Sequence, residues 1–363
     1  MDTKSHFGTD RRYKDDMGRS TNENSQIEYS SADDSCTISV IVPTYQRPED
    51  LIRCLSALNL LDPPPEEVIV VHRSTDTSSR DIVTRWIDET DERYHRKSVT
   101  VHESGMIAAL NAGICRARGS IIATLDDDCE VYSSWISKLY NWFSSDSRIG
   151  GVGGRDIIMN ERYTHDKDLY SPASIVGKVT WFGRCIGNHH LGCAQPMEVD
   201  ILKGCNMAYR RRFAWFDTNL RGIGAQVHNE IVLGLHVRDS GYRLVYDPSL
   251  RVKHYVAKRW DDDGRESRSP RAIENEAFNQ LYAVFGRKKR IPAWIGATYS
   301  FLVGHRQTPG LVRLAKSIAG HESKVIHSFG PALKGKFKAF FFILGNRDSV
   351  SKNRQSPHLM RHD

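Results

Sequence analysis

The chain lacks a long hydrophobic run: no window reaches the roughly 18 apolar residues expected of a membrane-spanning helix. Its N-terminus is polar and mixed in charge, so no secretory signal is expected. Cysteine is sparse and without pattern. It occurs at positions 36, 54, 115, 129, 185, 193 and 205, forms no CxxC, and shows neither a disulfide framework nor a zinc spacing. A cytoplasmic, reducing compartment is the simplest expectation. A strong charge bias is also missing. The 51 Lys and Arg against 44 Asp and Glu leave +7, too mild an excess to call for a nucleic-acid partner. Basic clusters at Lys258–Arg259 and Gly286–Arg290 read either as attraction to anionic lipid or polyanionic substrates, or as a solvated face. No internal repeat is found.

What is present suits a globular protein. A chain of 363 residues, 39% hydrophobic and 26% charged, can hold one large domain or two modest ones around a sizeable core. Residues up to about 35 are rich in Ser, Asp, Asn and Arg and are expected to be disordered. From Thr37 the pattern is regular. TISVIVP and EVIVV read as strands buried on both faces, followed by SVTVH and SIIATL. Between them Leu51, Ile52, Leu55 and Leu58, then Ile82, Val83, Trp86 and Ile87, then Ile107, Leu110 and Ile114 recur at helical spacing. Pro48 stands where the first helix begins, and Pro63–Pro65 stop it. The alternation predicts an α/β fold, a mostly parallel sheet flanked by helices, with ligands outside the carboxyl ends of its strands. Those ends are Pro43–Tyr45, His72–Asp76, the Glu103 region and Asp126–Asp128. Beyond Gly150, GGVGG reads as a flexible turn. NEIVLGLHVRDSGY reads as a helix closed by Gly241, and the chain past Trp260 as basic and helical.

GSIIATLDDDCEVY (Gly119–Tyr132) runs from a buried strand into three aspartates. Uncompensated, adjacent carboxylates repel and raise one another's pKa. Two arrangements relieve this: one Asp caps a following helix, or the group holds Mg²⁺ or Mn²⁺ through hard oxygen ligands. A cap needs only one of the three.

The ordered blocks ISVIVPTYQRPEDLIRCLSAL, ALNAGICRARGSIIATLDDDCEVY, GCNMAYRR and GYRLVYDP…VKH resemble the family 2 glycosyltransferases, inverting enzymes of GT-A fold, over roughly residues 37–255. The resemblance implies a GT-A (Rossmann-like) domain over 36–256, its nucleotide-binding half ending near 150. A helical, basic extension follows over 257–345, then a disordered tail over 346–363. It implies a nucleotide-diphosphate sugar donor (UDP-, GDP- or dTDP-sugar) and Mg²⁺ or Mn²⁺ as cofactor. Pro43, Thr44, Tyr45 and Arg47 match the donor loop. Asp126 and Asp128 match the outer carboxylates of the family's DxD motif; Asp128 holds the metal, while Asp126 and Asp127 contact donor or metal. His254 matches a histidine near the metal or diphosphate, with a structural histidine as the other reading. Gly204 and Asn206 match the loop beside donor sugar and acceptor. In the family an acidic pair precedes the helix ending in Gly-Tyr. Here that pair is Asn229–Glu230, so Glu230 takes the base role and Asn229 lies beside the acceptor. The family's two aspartates after the second strand are His72 and Arg73 here, leaving base contact to Asp76 or to the backbone, and Arg73 to meet the diphosphate.

WFGRCIGNHHLG makes Trp181, His189 and His190 acceptor candidates, against an ordinary loop packed on the sheet. Ile291–Val303, after a basic cluster, and KGKFKAFFFILG suit either helices lying in a membrane interface or core packing. The first reading implies a lipid-linked or glycan acceptor at the cytoplasmic face of the membrane. A nucleotidyltransferase is disfavoured because PTYQRPED lacks a Gly-rich basic signature. A non-catalytic scaffold of the same fold is the remaining rival.

Overall fold

The β-branched run after Thr37 forms β1 (Ile38–Thr44), buried along its whole length. The computed structural model describes residues 36–89, 93–159, 172–260, 268–285 and 293–346. The expected tails therefore lie outside the described residues, apart from Asn346, as does the basic run 286–290. After β1 come α1 (Pro48–Leu58), β2 (Glu67–Arg73), α2 (Thr77–Asp88), β3 (His95–Val101), α3 (Met106–Arg116) and β4 (Ile121–Leu125). Then follow β5 (Cys129–Val131), α4 (Trp135–Ser145), β6 (Ile149–Ile158), β7 (Lys178–Val179), β8 (Cys185–Ile186), β9 (Met197–Val199) and β10 (Asn206–Arg210). α5 (Asn229–Asp239), β11 (Arg243–His254), α6 (Pro270–Phe285), α7 (Ala293–Leu302), α8 (Leu311–Ala319) and α9 (Ser323–Gly345) complete the described elements.

The main sheet runs β3-β2-β1-β4-β10-β6-β11-β5, with β9 also paired to β11. β1, β2, β3 and β4 are parallel, as are β6 and β11; β10 enters antiparallel between β4 and β6. Side chains alternate between two layers, as the two-residue strand period requires. Val40, Val42, Val68 and Val70 pack with Leu51, Ile82 and Trp135 of α1, α2 and α4. Ile41, Ile69 and Val71 pack on the other face with α3, α5 and α6. Buried Glu67 ties the first strands together, accepting from Ser39 Oγ (2.6 Å), the Arg118 N–H (2.5 Å) and Lys97.

The expected turn at GGVGG is corrected. Residues 150–154 are the middle of β6, paired with both β10 and β11. Glycine is required there by close approach. A Cβ on Gly151 would lie 2.6 Å from the Tyr209 ring, and one on Gly154 only 1.6 Å from the Leu250 carbonyl oxygen.

The described residues form one compact unit. Phe278, Leu281 and Tyr282 of α6, Ala297 of α7, and Ala339 and Ile343 of α9 join the same core as α3 and α5. Lys336, fully buried in α9, donates to the carbonyls of Ser300 (2.6 Å), Thr308 (3.0 Å) and Pro309 (2.9 Å) beside the C-terminal end of α7. These helices also leave apolar side chains in solvent, among them Trp294 (69% exposed) and Phe341 (65%). Among the described residues no helix is long and apolar enough to cross a membrane.

Because the Leu250 obstacle is backbone, it cannot rotate away. Gly154→Ala is expected to cost about 3 kcal/mol or more, read from denaturant unfolding. Gly204→Ala, whose Cβ meets nothing within 4 Å, is expected to leave the midpoint nearly unchanged. Equal stability of the two variants would contradict the packing described for β6.

Candidate active site

The parallel strands of the first half end along one edge. Their carboxyl ends and the following loops line a cleft of about 820 Å³ that includes Pro43, Thr44, Tyr45, Arg47, Arg73 and Glu103, where an open α/β sheet places its ligands. The Arg73 guanidinium lies 3.8 Å from the centre of the Tyr45 ring. The substitution of His72–Arg73 for two acids thus gives the cleft a cation-on-aromatic wall. His72 is buried, with Nε2 3.0 Å from Ser98 Oγ. Asp76 is not among the residues lining the cleft. It caps α2 by accepting from the Ser79 N–H (3.1 Å) and Ser78 Oγ (3.0 Å), and it takes the Gln46 N–H at 2.5 Å. Burial opposes its charge, yet these hydrogen bonds hold its carboxyl below the usual range. Asp76 therefore shapes the Tyr45–Arg47 loop from behind.

The aspartates form the turn between β4 and β5. β5 crosses to pair antiparallel with β11, which sets Cys129 opposite His254. The Tyr255 N–H then reaches the Asp128 carbonyl (2.9 Å), and the Ala257 N–H reaches its carboxylate (2.8 Å). The N-cap position of α4 is held by Ser134, whose side chain makes no capping hydrogen bond, so no member of the triplet performs the capping duty that the sequence left open. Arg47 approaches Asp127 at 2.7 Å and Asp128 at 3.7 Å. His254 is held between two carboxylates, Nε2 3.4 Å from Asp128 and Nδ1 3.4 Å from Asp156. Asp156, fully buried on β6, also pairs with Lys203.

Charge in this turn is unevenly compensated. Burial opposes ionisation throughout, but the His254 imidazole beside it and the hydrogen bond from the Ala257 N–H hold Asp128 well below the usual range. Asp127 is lifted to about 7 by burial, against the pull of Arg47. Asp126 is raised by burial and by the neighbouring Asp128 charge. Burial pulls the His254 imidazole down, but Asp128 and Asp156 outweigh it and hold it up at about 12. Asp127 Oδ2 and His254 Nε2, both buried, lack a well-directed hydrogen bond. Ligand atoms of Asp126, Asp128 and His254 lie within 4.8 Å of one another. Two hard carboxylates and an imidazole oriented by a second carboxylate fit Mg²⁺ or Mn²⁺.

A second cavity, of about 1130 Å³, is lined by Lys203, Gly204, Asn229, Glu230 and His254 among others. It meets the cleft at Met106, Asp126, Ala225 and Arg259, which line both. Glu230 stands in the first turn of α5. Burial raises its carboxyl, with Lys203 and Arg259 opposing and Asp126 reinforcing. Asn229 turns its amide nitrogen back to the carbonyls of Ala225 and Gln226, both at 3.2 Å.

Other expected acceptor residues are not brought here. Asn206 is wholly buried, accepting from Trp135 Nε1 (2.9 Å) and donating to the Leu250 carbonyl (2.8 Å). His189 is buried against the Ile201 carbonyl (3.1 Å), and burial depresses it to about 4. His190 is half-buried and also depressed by burial. Trp181 is 68% exposed, and its neighbour Phe182 packs on Tyr299 of α7 (4.8 Å between centroids). None of the four lines either cavity. Conversely, sequence reasoning passed over Asp156 and Lys203, and it read Arg259 only as part of a basic cluster. Lys203 adjoins the recognised GCNM block, whereas Asp156 followed a segment read as a turn.

Residues 39–215 match the protein family described as Glycosyl transferase family 2. The putative teichuronic acid biosynthesis glycosyltransferase TuaG of Bacillus subtilis is 27% identical over 231 residues, 61% of this chain and 84% of that protein. Glycosyltransferase AglE of Haloferax volcanii is 29% identical over 105 residues, 28% of this chain and only 33% of that protein. The mannosyltransferase PcManGT from Pyrobaculum calidifontis, solved in complex with GDP-Man and Mn²⁺, superposes with a TM-score of 0.53 at 18% identity, covering 90% of this chain and 88% of that one. With these likenesses set beside the parallel sheet and the aspartate turn, the chain belongs to glycosyl transferase family 2 and is a GT-A-fold enzyme of that family.

Proposed function

We propose that the protein is a metal-dependent inverting transferase that moves a sugar from a nucleotide-diphosphate sugar to a hydroxyl of a glycan or lipid-linked acceptor. The observation that carries this reading is the meeting of two cavities at Asp126, with the aspartate turn on one side and a raised carboxyl, Glu230, on the other. Tyr45 and Arg73 form the wall for the nucleotide, and Pro43, Thr44 and Glu103 also line the cleft. Asp126, Asp128 and His254 would hold Mg²⁺ or Mn²⁺, and Asp156 orients the imidazole. When bound, such an ion neutralises the charge that develops on a departing diphosphate. A neighbour of the same fold holding GDP-Man with Mn²⁺ supports this assignment.

Glu230 accepts the proton of an acceptor hydroxyl in the second cavity, so that the oxygen attacks the anomeric carbon opposite the leaving group. No covalent sugar–enzyme intermediate is needed. Lys203 and Arg259 keep enough positive charge nearby for Glu230 to ionise, while its burial keeps it a stronger base than an exposed glutamate. Gly204, with open space around its α-carbon, lets an acceptor approach.

The exposed apolar side chains of α8 support an acceptor at a membrane surface. Leu311, Val312, Ala315 and Ile318 lie on one face of that helix and are all exposed. Arg313 and Lys316 on the same helix and Lys324 at the start of α9 add positive charge for an anionic headgroup layer. A glycosyltransferase named for teichuronic acid biosynthesis among the relatives agrees with a surface-polymer acceptor.

Glu230→Gln is expected to lower kcat about 10²- to 10⁴-fold while nucleotide affinity stays at the wild-type level. A base acts only when deprotonated, so rate falls as pH drops through the Glu230 pKa. That acid limb is expected above the roughly 4.3 of an unperturbed glutamate. Transfer by the Gln variant at the wild-type rate would put the base elsewhere. Co-sedimentation with anionic vesicles is expected for the wild type and is expected to weaken in Leu311→Asp and Ile318→Asp. Absence of wild-type binding would remove the membrane from the account.

A further inference from the structure

Two cysteines stand beside the proposed metal residues and have no part in the transfer chemistry. Cys129 opens β5 directly opposite His254. Cys205 lies between Gly204 and β10, and it lines the second cavity. Both are almost wholly buried. Their sulfurs and one ring nitrogen of His254 fall within 4.8 Å of one another. The Cys129 thiol donates to Asp128 Oδ1 at 3.8 Å, which ties this group to the aspartate turn. A tetrahedral zinc site has metal–sulfur bonds of about 2.3 Å and metal–nitrogen bonds of about 2.0 Å, which set its ligand atoms about 3.5–3.8 Å apart. The three atoms therefore need only a small inward movement, and the cavity beside Cys205 offers a way in and a fourth position.

We propose that Cys129, Cys205 and His254 form a thiophilic metal site, taking Zn²⁺, that shares His254 with the oxygen-rich site of Asp126 and Asp128. Softness separates the two: thiolates select Zn²⁺, while carboxylates suit Mg²⁺ and Mn²⁺. On binding, each thiol releases its proton to solvent, and so does the His254 nitrogen that turns to the metal. The resulting Zn²⁺ with two thiolates is neutral overall, a tolerable charge state in a buried setting already rich in carboxylates. His254 turned toward the sulfurs no longer faces Asp128, so occupation by Zn²⁺ weakens the oxygen site. Zinc then acts as an inhibitor that competes with Mn²⁺ through a shared ligand.

The test uses the full chain stripped of metal and titrated with Co²⁺ as a spectroscopic stand-in for Zn²⁺. A thiolate-to-cobalt charge-transfer band is expected at one equivalent, bleached by Zn²⁺, absent in Cys129→Ser and Cys205→Ser, and retained in Asp126→Asn. Folded wild type without that band would overturn the site, whatever the variants do. In a second arm, which rests on the proposed function, Mn²⁺ bound to wild type is followed by electron paramagnetic resonance. Zn²⁺ is expected to release it. Mn²⁺ that stays bound while the thiolate band forms would overturn the shared histidine. Failure of Mn²⁺ to bind at all would count against the proposed function, and the cobalt band would still decide the thiolate site.

Discussion

The constraint on which the site depends is the crowding of carboxylates at the end of β4. Asp126, Asp127 and Asp128 follow one another in a turn where Asp127 and Asp128 are buried, and Asp156 approaches from β6 through His254. Arg47, His254 and Lys203 answer part of that charge. Burial, with the neighbouring Asp128 charge adding to it, still holds the carboxyls of Asp126 and Asp127 above the usual range. A fold that keeps such a cluster gains by having a cation arrive with its ligand, because an unpaired buried charge is costly.

The sheet is wired to hold that cluster in place. β5 leaves the turn and pairs with the end of β11, which brings His254 back over Asp128. β11 can lie on β6 only because Gly154 has no side chain, its Cβ position being filled by the Leu250 carbonyl. The same β6 carries Asp156 to the far nitrogen of His254. Backbone packing several residues away thus sets the orientation of one imidazole.

Much of this was legible in the residues. Period-two and period-3.6 patterns located β1 to β4 and the helices between them, and the rule for open α/β sheets brought their ends to one cleft. Other parts were hidden for physical reasons. Glycines in GGVGG look like a turn because sequence shows their freedom but not the neighbours that demand small residues. Asp156 was lost with that strand. Asp76 carried a readable signal, an Asp at the start of a helix with Ser79 three residues on, and its cap role was overlooked. Trp181, His189 and His190 have sugar-binding chemistry by type. Which of them points inward depends on packing against Ile201 and Tyr246, far away in sequence.

The central claim is that the aspartate turn binds the donor through a metal. Calorimetric titration of UDP, GDP and dTDP, each with Mn²⁺ or with chelator, into wild type and Asp128→Ala tests it most directly. The account predicts that one nucleotide binds wild type tightly with Mn²⁺, and that chelation or loss of Asp128 removes the binding. Equal affinity with and without metal, or in the absence of Asp128, would contradict it.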